Sequence, residues 1–284
     1  MNPKLSLAIG VLCISFSPIF VKLAGVSPLG GAFYRVLVAW LCLVPYCIIK
    51  NKLRVSKKQM IIALVAGIVF ASDVAVWNLS LLKISATVST LLANLAPVWV
   101  GLIGYFLLKM RSGRLFWIGT LVAIVGMVVL VGYRHILHLE LNTGILLAIL
   151  ASLFYAIYIL ITKKIMAGID VFTFMFYSMI GAWVFMLMIN IFKGNDIIHL
   201  STNVWLCFIG MGIICQLTGW LTINYSLRYL EPTKVSIVLL SQTVFAALMA
   251  AAFLGERLAM NEIIGSVIVL AGIAITFLKP KAFN

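Results

Sequence analysis

Asp73, Trp77 and Ser80 stand at i, i+4 and i+7 of the stretch FASDVAVWNLS, so on a helix they share one face. A carboxylate can pair with a cationic group or carry a proton. An indole is a flat apolar wall, and a hydroxyl adds a small polar contact. The surroundings make this combination informative, because Asp73 lies within a run of more than twenty otherwise mostly apolar residues. Counted from Ile61 at about 1.5 Å per residue, it sits roughly 18 Å into a hydrocarbon core about 30 Å thick. A lone carboxylate there costs about 2.5–3.5 kcal/mol even on the lenient insertion scale. Such a group is expected to face a wet cavity or a partner, or to be protonated. The bland alternative is a packing role, with Asp73 hydrogen-bonded to neighbouring helices.

Other polar residues recur at similar depth. Thr90, Asn94, Gly101 and Tyr105 follow at i, i+4, i+11 and i+15, close to one azimuth. Pro97 lies among them and frees a backbone carbonyl, which protein, water or ligand must then satisfy. Trp99 points away from that face. Gln216, Trp220 and Asn224 run i, i+4, i+8, Gln242 stands alone in a later run, and Tyr155, Tyr158 and Thr162 line another. The expected ligand-facing set is Asp73, Trp77, Asn94, Tyr155, Tyr158, Gln216, Trp220 and Gln242. Lys22, Arg35 and Pro97 are the expected mouth and gating residues: long basic side chains reach for the interface, and Pro97 either serves the gate or only kinks its helix for packing.

The elements that position these residues follow from composition. The chain has 284 residues, of which 64% are hydrophobic and 10% charged. Soluble domains carry about 25% charged residues, so this chain is an integral membrane protein, and its long apolar runs are helical spans. Ten spans are expected, at roughly 5–24, 31–49, 59–82, 86–108, 115–133, 143–162, 171–192, 203–227, 233–254 and 261–278. The net charge of +14 is not a nucleic-acid signal here, because the basic residues sit in the short connections. Fifteen of the 21 Lys and Arg residues fall on one side and six on the other or near it, which puts both termini in the cytoplasm. The first span reads as a membrane helix rather than a cleaved signal. All five cysteines lie in apolar runs and are expected to be packing residues.

The chain repeats itself at an offset of 146 residues. N-L-S-L at Asn78 matches N-Y-S-L at Asn224, and the same offset pairs Thr87 with Thr233, Val98 with Val244, Gly119 with Gly265 and Gly126 with Gly272. Each half then holds five spans, residues 1–138 and 139–284. Five is odd, so the halves are inverted, an architecture suited to exchanging which side is open. Asp73 maps onto Gly219, so only one half carries the carboxylate. Spans 5 and 10 carry glycines seven residues apart, Gly119/Gly126 and Gly265/Gly272, which suits a close-packed frame or a homodimer contact.

SFSPIFVKLA, AFYR, SDVAVWNLSL, ATVSTLLANLAPVWV, FLGERL and EIIGSVIVLAG, in that order, resemble the drug/metabolite transporter superfamily. The resemblance is to its bacterial branch with two EamA-type domains, and it covers nearly the whole chain. It implies a ten-helix inverted-repeat carrier of the inner membrane with a cavity lined by spans 1, 3, 4, 6, 8 and 9. It also implies a small-metabolite cargo, from a range that includes amino acids, riboflavin and S-adenosylmethionine. Two departures stand out. LLKMRS occupies the place of FLGERL in the first half, and no proline stands near Thr243 in the second.

Rival functions fare worse. No metal or cofactor is expected, because His135, His138 and His199 fall in loops without a ligand set, and no phosphate-binding motif is present. An embedded enzyme would need clustered catalytic groups in the spans. A scaffold has no use for Asp73, Asn94, Gln216 and Gln242 at mid-membrane. The expectation is a carrier of a cationic, zwitterionic or heteroaromatic small molecule, with a coupling proton as a further partner.

Overall fold

A long apolar helix closes its own backbone hydrogen bonds, the condition for lying in hydrocarbon. The computed structural model describes residues 1–25, 27–109, 112–132, 142–194 and 201–278, and ten helices among them meet that condition. In chain order, as spans 1 to 10, they are Pro3–Ala24, Leu29–Ile49, Lys57–Leu81, Val88–Phe106, Arg114–Val131, Thr143–Ile165, Val171–Lys193, Thr202–Tyr229, Pro232–Leu254 and Met260–Phe277. Each boundary is within three residues of its sequence expectation. His135, His138 and His199, with Arg111, Arg134, Lys279 and Lys281, lie outside the described residues. The face carrying Met1 is called the near face below and the opposite one the far face.

Polar caps set where several spans begin. Ser56 and Gln59 form a reciprocal capping box at span 3. Ser27 accepts from Gly30 N–H at 3.1 Å at span 2, and Asn142 from Ile145 N–H at 3.1 Å at span 6. Asp170 caps span 7 through Phe172 N–H at 3.0 Å and holds Lys52 at 3.2 Å, tying two near-face connections together.

The protein is all-α, two inverted five-helix repeats. The inversion is visible at two helix ends 146 residues apart. Lys109 ends span 4 on the near face at φ 53°, and Gly255 ends span 9 on the far face at φ 68°. Each donates its N–H five residues back, to Gly104 O and Ala250 O. Lys109 and Gly255 therefore make the same left-handed stop, although only one of them is a glycine.

Spans 5 and 10 pack against each other along their glycines. A side chain at Gly265 would meet Leu130 N at 2.3 Å, and one at Gly272 would meet Ala123 N at 2.5 Å. One at Gly126 would meet Val269 N at 2.5 Å. These small residues are what lets the chain's own two helices approach, as the close-packed frame expected of them requires.

Four spans are not simple α-helices. Span 1 breaks at Phe16, between Pro3–Ser15 and Ser17–Ala24. Span 4 breaks at Asn94–Leu95, between Ala86–Ala93 and Ala96–Leu108. Span 9 breaks at Leu240, between Pro232–Leu239 and Ser241–Leu254. Span 8 widens into a π-helix over Met211–Gly219, a form that concentrates at functional sites.

Candidate functional site

The break in span 1 is the hub of the site. Ser15, just before it, places its hydroxyl 2.7 Å from Val11 O and 3.2 Å from Gln242 O, next to the break in span 9. Ser17, just after it, accepts a hydrogen bond from Arg35 Nη1 at 3.1 Å. Two helix breaks and an intramembrane guanidinium are thereby linked through three consecutive residues. Pro18 opens the second piece of span 1, where the lost N–H costs nothing.

Arg35 departs from its expected place. Set beside Lys22 at the mouth by sequence, it lies about 9 Å below Leu29 at the far end of span 2. Its side chain turns inward to Ser17, and its Nε is buried without a hydrogen-bond partner. Lys22 stays at the far surface, in an ion pair with Glu256 at the end of span 9.

Asp73 lies about 12 Å below Leu81 at the far end of span 3, close to the depth of Arg35. The two residues are within electrostatic reach of each other. They do not form an ion pair, so no nitrogen–oxygen distance between them is 4.0 Å or less. Among the described residues the carboxylate has no hydrogen-bond or ion-pair partner, yet its oxygens are not among the sealed polar atoms. Tyr155 of span 6 is within electrostatic reach of Asp73, and Cys215 of span 8 of Arg35. Gln216, beside Cys215 in the π-helix, is 4% exposed and its Oε1 has no partner.

An aromatic floor of four rings lies on the near-face side of Asp73. The ring of Trp220 meets Phe70 at 5.0 Å, Tyr158 at 5.4 Å and Tyr155 at 6.1 Å, all edge-on. Phe70 and Tyr158 are 5.2 Å apart. Such edge-to-face pairs are favourable beyond their buried area. Beneath them, Tyr158 OH and the Asn224 amide exchange hydrogen bonds at 3.1 and 3.3 Å, and Asn224 Nδ2 also reaches Met175 Sδ at 2.9 Å. Around and below this pair, Ser6 donates to Thr222 O at 2.9 Å, Ser226 to Pro3 O at 2.8 Å and Lys163 Nζ to Leu230 O at 2.9 Å. On the near-face side of the charges these contacts join spans 1, 6, 7 and 8.

The remaining expected residues divide. Ser80 is fully buried and bonded to Ser89 of span 4 and to Trp77 O, so it joins two helices rather than facing a ligand. Asn94 turns its amide to Thr90 O at 2.9 Å and is 7% exposed. Gly101 packs on Phe116 and Trp117 of span 5, and Tyr105 is 56% exposed against Phe106. These two do not join the site, because the break ahead of Pro97 ends the azimuth they would have shared with Asn94. Trp99 donates to Ser152 of span 6 at 2.9 Å. The Trp77 indole makes no hydrogen bond or ring pairing among the described residues. Gln242 is partly buried, with its side-chain amide unpaired among the described residues.

The asymmetry between the halves has a steric origin. Gly219, the counterpart of Asp73, is where span 8 meets span 1: a side chain there would lie 2.8 Å from Ile14 Cγ2. Gly10 approaches from the other helix, 2.9 Å from Gly219 O by the same measure. Helix contact uses the position that carries the carboxylate in the first half.

A separate cavity of about 350 Å³ lies on the back of span 3, between spans 2, 3, 6 and 7. Leu79, Leu150, Phe154 and Phe185 line it almost wholly with carbon, and it holds none of the eight expected ligand residues.

The EamA-like transporter family profile matches the chain twice, over residues 4–132 and 142–278, each match holding five spans. An uncharacterized transporter of Bacillus subtilis strain 168, YdfC, is 22% identical over 280 residues, covering 98% of this chain and 91% of its own. An uncharacterized transporter of Archaeoglobus fulgidus is 26% identical over 282 residues, covering 97% and 98%. The S-adenosylmethionine uptake transporter of Rickettsia prowazekii is 23% identical over 149 residues, covering 52% of this chain and 50% of its own. A solved crystal structure shares the fold at a TM-score of 0.84 and 15% identity, covering 99% of both chains. The matched relatives are transporters rather than enzymes.

Proposed function

The chain belongs to the EamA-like transporter family, and on that premise we propose that it is a secondary carrier moving a small metabolite across a bacterial inner membrane by alternating access. The observation that carries this reading is Asp73: a mid-membrane carboxylate without a partner among the described residues, above an aromatic floor. A scaffold would have no reason to keep so costly a group unsatisfied. The excess of Lys and Arg on the near face supports placing both termini in the cytoplasm. The contacts that join spans 1, 6, 7 and 8 in the near half are read as an arrangement closed to the cytoplasm.

The cargo is read as cationic, zwitterionic or heteroaromatic. Asp73 supplies an acceptor for a positive group or a proton, and Tyr155 and Trp220 supply aromatic surface. A distant relative named for S-adenosylmethionine uptake is compatible with that range. The test is counterflow in proteoliposomes. Saturable exchange by the wild type, lost or made independent of pH in Asp73→Asn, supports the carrier with Asp73 as its coupling residue. Exchange by Asp73→Asn at the wild-type rate and pH profile makes Asp73 structural. No exchange of any metabolite in a broad library returns the protein to the scaffold reading.

A further inference from the structure

Resting on the carrier reading, we propose that Arg35 and Asp73 form a two-pole site that recognises a small zwitterion, Arg35 taking its anionic group and Asp73 its cationic group. Two opposite charges buried for stability alone are held in direct contact, because only a close, hydrogen-bonded pair offsets the cost of desolvating both. These two are at similar depth on neighbouring spans, yet more than 4.0 Å separates their nitrogens and oxygens. Both keep unspent hydrogen-bonding capacity. Among the described residues, neither the buried Arg35 Nε nor the Asp73 carboxylate has a hydrogen-bond partner.

The guanidinium is also aimed. Ser17 fixes Nη1 at 3.1 Å, and Ser17 is set by the break in span 1, which Ser15 ties to span 9. A basic residue this close to the far surface could extend its side chain to the interface, as Lys22 does. Holding it inward costs stability, and a cargo carrying a negative group offsets that cost on binding. Charge balance points the same way. Arg35 and Asp73 together are neutral, so a zwitterion satisfies both, whereas a plain cation leaves Arg35 unmatched and a plain anion leaves Asp73 unmatched. Tyr155 and Trp220 lie beneath the carboxylate and offer a surface for the rest of the molecule.

The experiment uses probe sets that share one carbon skeleton. Phenylalanine, phenethylamine and 3-phenylpropionate form one set; leucine, isopentylamine and 4-methylpentanoate form another. Binding is read by thermal shift of the purified protein, and transport by counterflow in proteoliposomes. The zwitterion of at least one set should bind about 10- to 100-fold more tightly than either singly charged member, the range expected for losing one charge-assisted contact. Arg35→Gln should erase the advantage of the zwitterion over the amine, and Asp73→Asn its advantage over the acid. Arg35→Lys keeps the charge and controls for folding. The double variant Arg35→Gln/Asp73→Asn should fold and prefer none of the three. If the amine binds wild type as well as the zwitterion does, if Arg35→Gln leaves the preference unchanged, or if no zwitterion binds, the proposal is overturned. A zwitterion that binds without exchange keeps the two-pole site and removes the carrier reading. Exchange of singly charged cargo alone does the reverse.

Discussion

Leu240 of span 9 and Asn94 of span 4 stand 146 residues apart, and each marks the point where its helix breaks. In span 4 the break precedes Pro97, which cannot donate to the preceding turn. In span 9 the counterpart is Thr243, and the break persists. Thr243 Oγ1 donates to Leu240 O at 2.7 Å, and Ser241 Oγ to Val238 O at 2.6 Å. Short hydroxyl side chains thus add hydrogen bonds to carbonyls at the break, where the backbone bonding is irregular. The two sequences differ and the backbone does not.

Thr243→Pro should therefore be tolerated. It removes the Thr243 N–H bond to Leu240 O, at 3.2 Å a tight-turn contact rather than an α-helical one. Thermal unfolding in detergent should stay within about 1 kcal/mol of wild type. Ala246→Pro, inside the regular helix Ser241–Leu254, should cost about 3 kcal/mol or more. Equal losses for the two would show that span 9 does not accept the geometry of span 4.

The two left-handed stops respond with opposite sign. Lys109 carries a side chain at φ 53°, where a non-glycine residue is strained by about 1–2 kcal/mol. Lys109→Gly relieves this but gives back about 0.4–1 kcal/mol of unfolded-chain entropy, so a gain of up to about 1 kcal/mol is expected. Gly255 has open space around its Cβ position and φ 68°, so Gly255→Ala meets only the backbone penalty. Its expected loss is about 1 kcal/mol. Thermal unfolding of both variants checks the signs.

Most of the fold was legible because a span must be long and apolar, and no tertiary contact changes that requirement. The inversion was legible because the repeat holds an odd number of spans. Arg35 was not. Its distance from a span end suggests a side chain reaching for the interface, and only the break at Phe16 shows Ser17 available to turn it inward. Gly101 and Tyr105 were misplaced for a related reason: the azimuth count assumed a continuous helix, and the chain restarts at Ala96. The break in span 9 had no proline to announce it, and the π-helix of span 8 has no simple periodic signature.

The glycine seam of spans 5 and 10 should tolerate no side chain. A Cβ at Gly265 would fall 2.5 Å from Leu130 Cα and 2.3 Å from Leu130 N, both backbone-linked atoms that cannot swing aside. Gly265→Val is expected to force the helices apart at a cost of about 1–3 kcal/mol or more and to lower the yield of monodisperse protein. Ile264→Val, next to it on a surface that is 48% exposed, is the control and should behave as wild type. A normal yield for Gly265→Val would mean that the two spans are not held at this separation.

Lys22 and Glu256 tie the far ends of spans 1 and 9, the two helices whose breaks also meet through Ser15 and Gln242. Both side chains are substantially exposed, at 63% and 47%, so the pair adds no more than about 1 kcal/mol and weakens as salt is raised. Its influence on global stability is therefore small. Its position is the more consequential feature, because a contact between two helices contributes to a conformational equilibrium whenever only one of the exchanging states makes it. Lys22→Glu sets two carboxylates against each other. It should change the reactivity of a cysteine placed at Lys22's neighbour Val21 toward a membrane-impermeant reagent, with little change in unfolding temperature. Lys22→Glu combined with Glu256→Lys restores the attraction with the charges exchanged, and should return the reactivity toward its original value. The difference between single and double variants should shrink in high salt. If the double variant behaves like the single one, the ion pair does not govern the far-face contact, and the junction at Ser15 holds spans 1 and 9 together without it.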